Sequence, residues 1–223
     1  MKYSFEAEIK KTEEGYKIRI PFNMWEVCKE RDVIEGQLEL EKKSVFCSLD
    51  PLEKGKYELL LNGEQKPAGV EEGIFPMVLT VSNAVEPIGE NSPYSKERPV
   101  RVVDRMQVIL QKQDGLCGQA CVAMLAGLSI EEVRAVTGWE EWQATMCRMI
   151  AALDYFGIGH SDTIVYTQGK RVELPKCCIL MEKMGRYCHY LVEFDGRYYD
   201  PNLGELEEYD RNKIQGYLEV VCA

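Results

Sequence analysis

The sequence predicts two domains: an all-β first half forming a small barrel, and an α+β second half in which helices pack on an antiparallel sheet. Three observations predict this. From the first residue to about Val81 the apolar residues alternate in short runs, beginning with Tyr3, Phe5, Ala7 and Ile9, which is the two-residue period of strands. From Gly118 to Leu125, from Ile130 to Val136 and from Trp142 to Phe156 they recur at the spacing of three helices, clearest in Met146, Met149, Ile150 and Leu153. After Gly157 strand character returns over residues 177–181, 187–194 and 217–221. Residues 82–99 hold Asn83, Pro87, Gly89, Pro93 and Pro99 and few apolar side chains, so the predicted organisation is a barrel over 1–83, a linker over 84–99 and a second domain over 100–223.

The barrel rests on an internal repeat. Tyr16-Lys-Ile-Arg-Ile, a short helix-like stretch and Ile34-Glu-Gly-Gln-Leu-Glu-Leu recur as Tyr57-Glu-Leu-Leu-Leu and Phe75-Pro-Met-Val-Leu-Thr-Val. The offset from Tyr16 to Tyr57 and from Ile34 to Phe75 is 41 positions in both cases. One copy alone leaves an apolar face and a strand edge open, and two copies can close on each other. Through Phe5-Glu-Ala-Glu-Ile, Ile20-Pro21 and the Gly36 strand, this half resembles a small prokaryotic β-barrel domain family of unknown function, and more distantly the swapped-hairpin or double-psi barrels of AbrB-like proteins. Members of the latter bind DNA through basic residues. Here 27 Lys and Arg face 37 Asp and Glu, so that function is not carried over.

In the second half, Gly127 is expected to end the first helix and Gly138 the second, with Ser129 and Glu132 forming a capping box between them. A formal charge of −10 without a Lys/Arg cluster argues against nucleic acid or an anionic membrane surface as partner. The first eight residues alternate as a strand does rather than as a secretory signal, and no apolar run reaches membrane-spanning length, so a cytoplasmic location is expected. The nine cysteines are accordingly expected to be reduced, most of them small buried hydrophobes. Cys177, Cys178, Cys188 and His189 lack a Cys-x2-Cys pair, and neighbours on a strand point to opposite faces, so no metal or other cofactor is expected.

Cys117 differs from the other thiols by its place. It stands immediately ahead of a predicted helix, between Gly115 and Gly118, where helix N–H groups favour thiolate over thiol and the glycines permit close approach. Cys121, one turn further in, points to the apolar side and reads as core. A thiol nucleophile needs a base, and the chain has two histidines, His160 and His189. His189 is favoured, because residues 190–201 read as a hairpin turning at Asp195-Gly196; that register puts His189, Asp200 and Asn202 on one face, with Asp200 or Asn202 as acceptor for the imidazole. His160 has no comparable support. The backbone N–H of Cys117 and a side-chain amide, Gln111 or Gln113, would receive an oxyanion. Trp139 and Trp142 read as core or rim packing rather than as a substrate platform.

Gln111-x5-Cys117-Gly118-x-Ala120, followed by Val-Ala-Met-Leu, resembles the papain-like leader peptidases that cleave bacteriocin precursors after double glycine, and their stand-alone relatives, over residues 105–223. The resemblance implies a papain-like domain with Cys117 as nucleophile, His189 as base, Asp200 completing the triad and Gln111 in the oxyanion hole. It implies hydrolysis of a peptide or related amide bond, with a peptide or protein as substrate. Leu116 departs from the acidic residue usual there, the segment between helix and histidine is short, and no attached membrane transporter is expected. Two alternatives use the same residues: a catalytically silent papain-like binding or regulatory protein, and a thiol acyltransferase or deamidase.

Overall fold

Strands form where the alternation predicts them, and in the first half they close on themselves. A computed structural model describes residues 1–89, 91–184 and 187–223, so Glu90 of the expected linker lies outside the described residues. The chain divides into two compact units, Met1–Val85 with Asp162–Tyr166, and Glu86–Ser161 with Thr167–Ala223.

The first unit runs β1 (Lys2–Lys11), β2 (Tyr16–Arg19), α1 (Met24–Val27), β3 (Ile34–Leu40), β4 (Lys43–Pro51), β5 (Tyr57–Leu61) and β6 (Gly73–Thr80). Every neighbouring pair is antiparallel, in the order β1-β2-β5-β4-β3-β6, and β6 returns to β1 with Lys2 opposite Thr80 and Ile9 opposite Gly73. Closure removes the open strand edges that a sheet of six would otherwise expose. The repeat is visible in the pairing: β2 lies against its copy β5, with Tyr16 opposite Leu61, and β3 against its copy β6, with Gln37 opposite Thr80. Between β5 and β6 the second copy has turns where the first has α1. Inward positions hold Tyr3, Phe5, Ala7, Ile9, Ile18, Leu38, Leu59 and Leu79, all buried.

Helix α1 is short and needs help at both ends. The Asn23 side chain accepts from the Trp25 N–H at 3.0 Å, and the Tyr3 hydroxyl donates to the Val27 carbonyl at 2.8 Å from inside the barrel. A last-turn carbonyl has no intrahelical donor, so Tyr3 meets a need the helix cannot meet itself.

The second unit contains α2 (Cys117–Ala126), α3 (Ile130–Thr137) and α4 (Met146–Tyr155). β7 (His160–Tyr166) starts there, and its Thr163–Val165 portion, in the first unit, runs parallel to Lys2–Ser4 of β1. The remaining strands are β8 (Cys177–Met184), β9 (Tyr187–Phe194), β10 (Arg197–Asp200), β11 (Gly204–Leu206) and β12 (Ile214–Val220), antiparallel in the order β11-β10-β9-β8-β12. The Ser129–Glu132 capping box forms, with both reciprocal hydrogen bonds. Helix α2 is buried at nine of its ten residues and touches β9, α3 and α4.

The expected fold class is corrected here. The chain is mostly β and 16% helical, with four α-helices among the described residues, and the second half is not the α+β papain-like arrangement of helices layered on a sheet. Helical periodicity marked the right segments, but α2, α3 and α4 span only 10, 8 and 10 residues. The 82–116 stretch forms no helix and no named strand among its described residues, and strands take most of the chain after α4. Among the described residues no helix is long and apolar enough to cross a membrane.

Replacing Tyr3 by Phe leaves the Val27 carbonyl without that buried donor. The expected loss is about 1–2 kcal/mol of stability in urea unfolding, with the fold retained.

Candidate active site

The site is assembled by a hairpin and a helix start within the second unit. Asp195 and Gly196 join β9 to β10 with φ of 52° and 84°, the two left-handed residues of a type I′ turn. The resulting register, Phe194 opposite Arg197 and Val192 opposite Tyr199, puts Asp200 across from Leu191 and diagonal to His189 on the same face. His189 Nε2 and Asp200 Oδ2 are 3.1 Å apart, and both residues are buried. A carboxylate can only accept, so Nε2 carries a hydrogen and Nδ1 is the ring nitrogen left to meet another partner. The Cys117 side chain is the other group that hydrogen-bonds this imidazole.

Burial alone would lower the His189 imidazole. The hydrogen bonds and charges of Asp200 and Cys117 outweigh it and raise it from 6.5 to about 10. Burial likewise pushes the Asp200 carboxyl up, but the His189 hydrogen bond and the N–H groups of Asn202 at 2.7 Å and Leu203 at 3.2 Å hold it below the usual carboxylate range. Asp200 thus bonds its own turn with Oδ1 and the imidazole with Oδ2.

The same turn locates Gln111. Its backbone N–H donates to the Pro201 carbonyl at 2.9 Å, its Oε1 accepts from the Leu116 N–H at 3.0 Å, and its Nε2 donates to Asn202 Oδ1. One Nε2 hydrogen is used, and an amide nitrogen has two. Gln113 donates to Glu141 Oε1 instead. Of the alternatives left open by the sequence, the structure pairs Asp200 with His189 and Asn202 with Gln111.

Cys117 is the first residue of α2 and half-buried. Its backbone N–H and the next two lie in the first turn, where a helix supplies no acceptors. The flanking glycines serve the protein's own packing. A Cβ on Gly118 would fall 2.4 Å from that of Ala144, and one on Gly115, at φ +88°, would fall 2.7 Å from the Trp142 indole. Cys121 is fully buried, and desolvation, aided by the nearby Cys117 and Asp200, pushes its thiol well above the ordinary range.

His160 differs from its sequence reading. It has an acid partner, Asp154 Oδ1, 3.1 Å from Nε2, while its Nδ1 lies 2.7 Å from the Ser161 carbonyl. No hydrogen bond ties it to Cys117 among the described residues. Cys178 faces Glu193 across β8 and β9, with Sγ 3.8 Å from Oε2, and burial raises both groups. Among the described residues no three His, Cys, Asp or Glu side chains are grouped to hold a metal.

Sequence reasoning missed Asn202 as the partner of Gln111 and the buried Gln119, whose Nε2 donates to the Glu140 carbonyl at 2.8 Å. It also missed Tyr187, although a two-residue period from His189 places Tyr187 on the same face. No protein-family model matches the chain, and no curated protein matches it in sequence.

Asp200→Ala leaves a buried imidazole without its acceptor, and we expect a loss of about 3–5 kcal/mol at neutral pH in chemical unfolding. Asp200 is depressed in the folded state, so its contribution is present above its unfolded value near 3.8 and is lost as pH falls through the lower folded value. The stability gap between wild type and variant therefore narrows below about pH 4.

Proposed function

We propose that the protein is a cysteine-dependent hydrolase of a peptide or related amide bond. The carrying observation is that one buried imidazole is engaged by the Cys117 side chain and by Asp200. Cys117 is the nucleophile, His189 the acid and base, Asp200 the group that orients and charges the imidazole, and Gln111 an oxyanion donor.

The Cys117 sulfur attacks in its thiolate form. The sulfur adds to the carbonyl carbon and the electron pair moves to the oxygen, which the Cys117 N–H and the second Nε2 hydrogen of Gln111 receive. The carbon–nitrogen bond then breaks, and the imidazolium gives its proton to the departing amine. The now neutral imidazole takes a proton from water, which attacks the thioester, and the thiolate leaves as the acid product forms. Asp200 stays ionised throughout and fixes the ring orientation.

Support comes from the convergence of residues from a helix start (Cys117), the β9–β10 hairpin (His189 and Asp200) and the segment ahead of α2 (Gln111). The nearby thiol competitor is removed by burial, since Cys121 is pushed away from ionisation.

Limited labelling with iodoacetamide at neutral pH, followed by mapping of the adduct, tests the assignment. Of the thiols, Cys117, Cys188 and Cys222 are only half-buried and the other six are buried. Cys117 is expected to react first, with its lead lost in His189→Ala. Faster modification of Cys188 or Cys222, unchanged by His189→Ala, contradicts the proposal.

A further inference from the structure

Resting on Cys117 as the nucleophile, we propose that Trp142 and Tyr187 form a subsite that seats an aromatic side chain of the peptide substrate, with Trp142 as a specificity-determining residue. The two rings lie 5.2 Å apart at 44°, and both are open to solvent, Trp142 at 61% and Tyr187 at 46%. Each is tied to a reacting group. The Trp142 backbone N–H donates to the carbonyl of Gly115 at 2.8 Å, two residues before Cys117, and the indole covers the Gly115 α-carbon. Tyr187 is two residues before His189 on β9, so the two side chains leave the strand on one face. Met184, 54% exposed and opposite Tyr187 on β8, extends the apolar surface.

An exposed tryptophan is ordinarily free to change its orientation, and this one packs against Gly115 and Tyr187. Its backbone is in the left-handed region at φ +61°, within a turn, a conformation that bulky residues adopt only where their surroundings impose it. The surroundings do impose it. The Gln119 amide holds the Glu140 carbonyl at 2.8 Å, Arg134 Nε donates to the Trp139 carbonyl at 3.2 Å, and Arg148 Nη1 donates to the Gln143 carbonyl at 2.9 Å. The neighbouring carboxylates are turned to other partners, Glu140 to Arg134 and Glu141 to Arg134 and Gln113. The Glu140 and Glu141 carboxylates are thus engaged within the protein, and the exposed face of the indole is what Trp142 presents. Such faces select a second ring, offset or edge-on.

Full-length protein is treated separately with N-acetyl-phenylalanyl chloromethyl ketone, N-acetyl-glycyl chloromethyl ketone and iodoacetamide, and the Cys117 adduct rates are measured, each ketone rate divided by the iodoacetamide rate. Wild type is expected to favour the phenylalanyl reagent about threefold to tenfold, Trp142→Ala to lose that preference, and Trp142→Phe to keep most of it. An equal ratio in wild type, or one unchanged in Trp142→Ala, overturns the subsite. If other cysteines are labelled ahead of Cys117, the nucleophile assignment fails and the subsite is read separately in Cys117→Ala. There, N-acetyl-phenylalaninamide should change the fluorescence contributed by Trp142, defined by subtraction of Trp142→Phe, while N-acetyl-glycinamide should not. No difference between the two amides overturns the subsite.

Discussion

A histidine buried as deeply as His189 is tolerable only if both ring nitrogens find partners, and the pairing of this one imidazole organises the second unit. Asp200 takes Nε2, but a buried carboxylate has its own need for donors, and the turn after β10 supplies them from Asn202 and Leu203. That turn also offers the Pro201 carbonyl and the Asn202 side chain, which position Gln111, whose Oε1 in turn takes the N–H immediately ahead of Cys117. The chain of dependence begins at the β9–β10 register. A slip of one residue would send Asp200 to the opposite face and leave the imidazole with an unpaired nitrogen.

That register was legible because it is written locally. Asp-Gly is among the few pairs that accept two successive left-handed conformations, so the turn could be placed from two residues and the facing positions counted outward. The barrel was legible for a related reason. A repeat whose copies are both amphipathic can bury both only by pairing, and β2 against β5 with β3 against β6 is that solution. The capping box at Ser129 and Glu132 is likewise a three-residue pattern with a local hydrogen-bond cause.

What the sequence concealed depends on contacts between distant residues. Helical spacing ran back from α4 to Trp142, yet the helix begins at Met146, because Gln119 and Gly115 capture the preceding loop and hold Trp142 in a left-handed conformation. The pairing of His160 with Asp154 joins the start of β7 to α4, and no periodicity predicts it. The choice between Gln111 and Gln113 was equally closed to sequence, since both offsets reach back and only the positions of Asn202 and Glu141 separate them. The overestimate of helical layering has a simpler cause: apolar spacing marks where a helix lies, but a stripe of 8 or 10 residues fixes neither its layer nor the share of chain given to strands.

The claim at the centre is that His189 bridges Asp200 and Cys117 and is charged as a result. Nitrogen-15 NMR of the imidazole at pH 8 addresses it directly, with the His189 signals assigned by comparison with His189→Gln. With the group raised to about 10, both ring nitrogens should carry a hydrogen at that pH. A neutral ring with one bare nitrogen, unchanged when Cys117 is replaced by Ser, would contradict it.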